Sequence, residues 1–133
     1  MNNYATTLRE HNLKATAQRL EIVNALTLNG HVTIEFLYDL MITKFNTISL
    51  ATIYKNINLM LEASFIQEVK IPNSKSVYEL TKVSHSHTVC SKCDNIADVD
   101  LDLSTIEASV FTISHFKIEH ANLIFTGLCK DCQ

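Results

Sequence analysis

Two cysteine pairs share one internal spacing, Cys90-Ser-Lys-Cys93 and Cys129-Lys-Asp-Cys132, and they contain all four cysteines of the chain. A Cys-x-x-Cys knuckle presents two thiolates from one tight turn, and two knuckles supply the four soft ligands of a tetrahedral, structural Zn²⁺ site. One pair alone is equally a redox dithiol. Two pairs with no cysteine left over favour the metal, with disulfides or unrelated free thiols as the alternatives. Residues 94–128 separate the pairs, so the ion would staple the two ends of a subdomain. Just ahead of the first pair stands His85-Ser86-His87. On a β-strand, residues two apart face the same side, so both imidazoles can share one ion. Nitrogen and carboxylate donors suit Fe²⁺ or Mn²⁺ better than sulfur does, which sets this group apart from the thiolates.

These ligands need a scaffold that 133 residues with two glycines can build. The length fits one domain or two small ones, and a piece of about 50 residues needs a staple to hold its core. Zinc would supply it. The opening is polar, with Arg9 and Glu10, and no apolar run approaches about 18 residues, so a cytoplasmic protein is expected. Reducing conditions there keep thiols available to a metal. The net charge of −3 is unevenly spread: residues 1–82 hold eight Lys/Arg against seven Asp/Glu, residues 83–133 three against seven. That split fits a polyanion contact confined to the first part and a cation-attracting second part. Ordinary scatter of surface charge accounts for it equally well.

Through residue 62 the pattern is helical. Leu8 and Leu13 fall in a short opening helix; Thr16 caps a second, with Leu20, Val23 and Leu26 at helical spacing, broken at Gly30 and His31. Thr33 begins a third with Leu37, Leu40 and Met41 on one face, and Ser49 caps a fourth. In the fourth, Leu50, Ile53, Ile57, Met60 and Leu61 cluster on one side at about 100° per residue, and Ala51, Thr52, Lys55 and Leu59 point away. Small, hydrogen-bonding and cationic side chains near a helix N-terminus suit a major-groove reader. Phe65–Ile71 and Ser76–Thr81 read as strands joined by Pro72-Asn73-Ser74-Lys75. Helices followed by a hairpin is the order of a winged helix-turn-helix; the plainer alternative is a fourth helix that merely packs in an α+β core. Beyond the hairpin, Thr88–Cys90, Ile96–Val99 and Phe116–Leu128 have strand character, and Leu103, Ile106, Val110 and Ile113 mark an amphipathic helix. So few elements leave apolar surface that a two-fold partner would cover.

Leu13-Lys14-Ala15-Thr16-Ala17-Gln18-Arg19-Leu20, then Ile48-Ser49-Leu50-Ala51-Thr52-Ile53-Tyr54-Lys55-Asn56, then His85-x-His87-x-x-Cys90-x-x-Cys93 and finally Cys129-x-x-Cys132 run in unbroken order along nearly the whole chain. In combination they resemble the ferric uptake regulator (Fur) superfamily of metal-dependent bacterial repressors. The resemblance implies a winged-helix DNA-binding domain over residues 1–82, a hinge at 83–84, and an α/β dimerisation and metal-binding domain over 85–133 carrying the Cys90, Cys93, Cys129 and Cys132 zinc. It also implies a regulatory Fe²⁺ or Mn²⁺ site on His31, Glu79, His85, His87 and Asp98, tying the reading head to the dimerisation domain. Taken singly, His31 is equally a helix-terminal residue, and Glu79 and Asp98 are solvated carboxylates. His11, His115 and His120 belong to the surface or its boundary. The implied partners are a second copy of the chain and double-stranded DNA, an AT-rich pseudo-palindrome, with no membrane and no enzymatic turnover. Tyr54 would approach thymine or phosphate, Lys14, Arg19 and Lys55 would position the backbone, and Ser49, Ala51 and Thr52 line the start of the recognition helix.

Within the superfamily the site pattern is most similar to the peroxide-sensing PerR branch, which has Asp where Asp98 stands, whereas iron sensors usually have Glu. In that branch Fe²⁺ reacts with hydrogen peroxide and a ligand histidine gains oxygen; by position these are His31 and His85. Glu79 departs from the Asp of known peroxide sensors and points to an iron-responsive Fur as the alternative. Ser84, Ser86 and Ala121 occupy the places of a further site found in many iron and zinc sensors, so that site is expected to be missing. Asp94 stands where Gly is usual, Ala17 where Pro is common, and Ala63-Ser64 where Gly often ends the recognition helix. A zinc deaminase would show His-x-Glu and Pro-Cys-x-x-Cys, and neither occurs. A zinc-stapled interaction module is the remaining rival.

Overall fold

After a short α1 (Tyr4–Glu10), the side-chain oxygens of Thr16, Thr33 and Ser49 accept the backbone N–H of Arg19, Phe36 and Thr52. They open α2 (Ala17–Asn29), α3 (Ile34–Ile42) and α4 (Leu50–Glu62) in the computed structural model, which describes residues 3–133. Each cap satisfies a donor that a helix leaves without an internal partner. Val23 and Leu26 from α2, Leu37 and Met41 from α3, and Ile53, Ile57 and Met60 from α4 close on Leu8 as the spacing indicates, joined by Ile22, while Leu20, Leu40 and Leu61 are only partly buried. Leu50 shares the angular stripe but sits in the first turn of α4, where little covers it, and it is 45% exposed.

The end of α4 shows why a serine stands in a glycine-favouring place. Ser64 N–H donates to Leu61 O at 2.9 Å and Phe65 N–H to Met60 O at 3.0 Å, the paired bonds of a Schellman ending, with Phe65 and Met60 both buried. That geometry puts Ser64 at φ 56°, in the left-handed region. A side chain there is strained, so Ser64→Gly should stabilise the protein by about 0.5–1 kcal/mol, read as a rise of a few degrees in Tm.

From Phe65 the chain enters an antiparallel hairpin of β1 (Ile66–Val69) and β2 (Val77–Leu80), shorter than the apolar runs suggest, with Gln67 opposite Glu79 and Glu68 opposite Tyr78. Val32 adds a further bridge, its N–H donating to Tyr78 O and its carbonyl oxygen accepting from Tyr78 N–H in return. These elements form one compact unit ending at Lys82; Val83–Gln133 form another.

The second unit is a three-stranded sheet in the order β4-β3-β5, where β3 (Ser86–Cys90) runs antiparallel to β4 (Ile96–Val99) and parallel to β5 (Ile124–Gly127). A parallel neighbour needs a crossover, and α5 (Ser104–Ser114) lies in it. The strand expected over 116–128 is reduced to its last part: His115 ends α5 in a left-handed conformation, and regular pairing with β3 begins only at Ile124. Leu103 is the residue before α5 rather than a member of its apolar face, and no residue of α5 is buried. The chain is α+β, as the order of apolar patterns indicates.

Candidate metal centres

Cys90 closes β3, and Asp94 takes φ 61° so that its N–H returns to Cys90 O at 2.9 Å, making the first knuckle. The parallel ladder sets Cys90 opposite Gly127, and Ser91 N–H donates to Gly127 O at 2.8 Å. The second knuckle, in which Cys132 N–H donates to Cys129 O, is thereby delivered beside the first. All four sulfurs lie within 4.8 Å of one another. Cys93 Sγ and Cys129 Sγ are 3.8 Å apart. Sulfurs about 2.3 Å from a shared zinc stand about 3.8 Å apart along a tetrahedral edge, whereas a disulfide needs about 2.05 Å. The donor set and its spacing fit Zn²⁺. Backbone N–H groups of Cys129, Cys93 and Lys92 aim at the Cys90 sulfur and hold that thiol down at about 6, favouring a thiolate. Hydrogen bonding to Cys129, with burial, pushes Cys132 up to about 12. A cation among the four removes this opposition, because it stabilises every thiolate together.

Glu79 and His31 come together in the first unit through backbone pairing. Gly30 ends α2 at φ 76°, and the Val32–Tyr78 bridge then lays His31 beside β2. His31 Nε2 is 2.7 Å from Glu79 Oε2. The carboxylate is buried, 1% exposed, and its other oxygen accepts the amide of Gln67 at 2.6 Å. Glu79 is therefore no solvated carboxylate. Gln67 escapes sequence reasoning because only the hairpin register reveals it as the cross-strand neighbour.

In the second unit, register again makes the group. Asp98 is directly opposite His87 in the β3–β4 ladder, and its Oδ1 lies 3.4 Å from both His85 Nε2 and His87 Nε2. The two rings meet edge to face, centroids 4.5 Å apart, on one side of the strand. Donors each about 2.1 Å from one ion stand about 3.0 Å apart in octahedral and about 3.4 Å in tetrahedral arrangement, so this spacing suits a shared cation better than a direct hydrogen bond. Both histidine side chains are buried, at 6% and 8% exposure, and two nitrogens with one carboxylate are a borderline-to-hard donor set.

The residues assigned to DNA lie on the first unit. Ala51 and Lys55 are exposed on α4, Thr52 is half-buried with its hydroxyl 2.9 Å from Ser49 Oγ, and Tyr54 is 43% exposed. Lys14 is exposed before α2. Arg19 is partly engaged: its Nε donates to Asn56 Oδ1 and its Nη1 to Lys14 O, each at 3.1 Å. Asn56 is buried on the apolar side of α4 and also donates to Thr52 O. A polar residue three positions after Ile53 on an apolar stripe was the signal for it. His11 packs edge-on to Phe65, and His115 caps α5; His120 is exposed. Among the described residues no helix is long and apolar enough to cross a membrane.

The profile of the ferric uptake regulator family matches residues 10–126. The peroxide-responsive repressor PerR of Staphylococcus saprophyticus is 30% identical over 130 residues, spanning 96% of this chain and 88% of that protein. The solved peroxide stress regulator of Campylobacter jejuni is similar at a TM-score of 0.73 and 32% identity, covering 99% of this chain and 100% of its own. The ferric uptake regulator (Fur) of Vibrio cholerae reaches 0.77 at 27% identity, covering 96% of this chain and 100% of its own.

Proposed function

We propose that this chain, which belongs to the ferric uptake regulator family of metal-responsive DNA-binding repressors, is a peroxide sensor of PerR type acting in the cytoplasm. Its family places it among transcription regulators, not enzymes. The observation that carries the proposal is Asp98, equidistant at 3.4 Å from the two imidazoles of β3. One methylene shorter than Glu, it leaves room for a small oxidant beside them. His31, Glu79, His85, His87 and Asp98 hold one Fe²⁺ or Mn²⁺ together, while Cys90, Cys93, Cys129 and Cys132 hold a permanent zinc. Ferrous iron bound there would supply the reduction of peroxide that places one oxygen atom on a coordinating ring. His31 or His85 receives it, and an oxidised ring is a poorer ligand, so the residues let go.

Release matters because the ion couples the helical unit to the cysteine-bearing one. Moving a two-state equilibrium from about 1% to 99% closed requires about 5.5 kcal/mol of differential affinity, within reach of a five-residue site. In the closed homodimer two α4 helices reach half-sites about one helical turn apart. Ala51, Thr52 and Tyr54 face bases, and Lys14, Arg19, Ser49 and Lys55 the phosphates. The exposed apolar side chains of the second unit, Ile106, Phe111, Ile113, Phe116, Phe125 and Leu128, are what the partner copy covers.

A second reading, iron-responsive Fur, is favoured by Glu79 and by the Vibrio cholerae Fur likeness. Mass spectrometry separates the two. Iron-loaded protein given hydrogen peroxide should gain one oxygen, about 16 Da, on the peptide holding His31 or His85, and should release operator DNA. Release governed by iron concentration alone, with no histidine oxidised, would replace the peroxide sensor by the iron sensor.

A further inference from the structure

We infer that Gln67 is a positioning residue for the regulatory metal, fixing the Glu79 carboxylate so that Oε2 is the oxygen presented as ligand; this rests on the assignment of Glu79 to that site. Gln67 and Glu79 are register partners across the hairpin, so their side chains leave the sheet on the same face, side by side. The Gln67 amide donates to Glu79 Oε1 at 2.6 Å, short for an amide donor and in keeping with a charged acceptor. His31 Nε2 lies 2.7 Å from the other oxygen. Glutamate carries three side-chain torsions, and an amide clamp on one oxygen removes the rotation that would exchange Oε1 and Oε2. A carboxylate held this way meets an ion without losing further side-chain freedom, and partners behind a ligand typically change metal affinity 10–100-fold.

The clamp also offsets burial. Glu79 is 1% exposed, and a buried carboxylate with an oxygen left unsatisfied would turn or draw in water instead of waiting in the ligand position. Two positions along on the same face, the pair Val69 with Val77 is apolar, so the Gln67 amide finds its acceptor in Glu79. Position 67 therefore determines how Glu79 serves the metal.

The test uses the full, zinc-loaded protein titrated with Mn²⁺ alone, its free fraction followed by electron paramagnetic resonance. Gln67→Met keeps the length and removes the donor; its Mn²⁺ affinity should fall about 10–100-fold with zinc content unchanged. In a Glu79→Gln background, Gln67→Met should cost nothing further, the non-additivity expected of directly coupled residues. If Gln67→Met fails to fold, Gln67→Asn, whose amide falls one carbon short, should show the same loss. A drop in Tm with Mn²⁺ affinity within threefold of the parent would assign Gln67 a structural role only and overturn the inference. A parent protein with no saturable Mn²⁺ or Fe²⁺ site beyond zinc would instead overturn the assignment of Glu79 on which it stands.

Discussion

His87→Ala should leave the zinc expected on the four thiolates in place and abolish metal-dependent DNA binding. His87 sits mid-register on β3 with Asp98 opposite and the His85 ring against its own, so its removal strips one nitrogen from a compact set of donors. The cysteines hang from the far end of the same strand and from β5, and they do not depend on that imidazole. The Mn²⁺ affinity should drop about 100-fold or more, since a ligand itself is lost rather than a group behind it. With the coupling gone, the closed population falls back toward the metal-free level, and affinity for a duplex selected from random DNA by the Mn²⁺-loaded parent should fall with it. Fluorescence anisotropy against Mn²⁺ concentration measures this, and elemental analysis reports the zinc. Parental affinity for DNA at the same Mn²⁺ would remove His87, and the regulatory site with it, from the mechanism.

Cys129→Ser should lose the zinc and, with it, the order of the whole Val83–Gln133 unit. Among the described residues only Val89 and Cys90 of the buried apolar side chains lie beyond Lys82, so this unit has almost no core of its own. A segment of about 50 residues with so little buried apolar surface requires a metal or a partner to stay folded. A serine hydroxyl is a harder and far weaker zinc ligand than a thiolate, so three thiolates and a hydroxyl no longer close the shell. Size-exclusion chromatography should show loss of the dimer, while amide NMR signals of the helical unit persist, because its core of Leu8, Ile22, Leu37, Ile53 and Met60 is separate. Since thiols must shed protons to bind zinc, zinc loading of the parent should also weaken as pH falls. A stable zinc-free dimer would contradict the four-thiolate assignment.

Much of the first unit was legible in its letters. Thr16, Thr33 and Ser49 cap helices because a short side-chain oxygen can reach only the next turn's N–H groups, and that chemistry is local. Ser64, and Asp94 in the second unit, stand in the left-handed backbone expected where the resembling family has glycine. The second unit was less legible. Strand character over 116–128 promised a long strand, yet β5 is only Ile124–Gly127, since β propensity is realised only where a neighbouring edge is available. The apolar spacing of α5 likewise promised a packed face, and periodicity cannot say what, if anything, lies against it.

The pairing of Cys90 with Cys93, of Cys129 with Cys132 and of His85 with His87 was legible in sequence alone, because Cys-x-x-Cys and His-x-His geometry is set by the two or three peptide units between the ligands, whereas His31, Glu79 and Asp98 came only through the family resemblance. Only the tertiary structure decided that Asp98 faces His87, that Gln67 grips Glu79, that Val32 carries His31 to β2, and that Cys129 arrives beside Cys90. Each of these depends on the pairing of backbone segments distant in sequence. A one-residue change of register would turn the side chains to the opposite face, leaving the local sequence and its spacing unaltered.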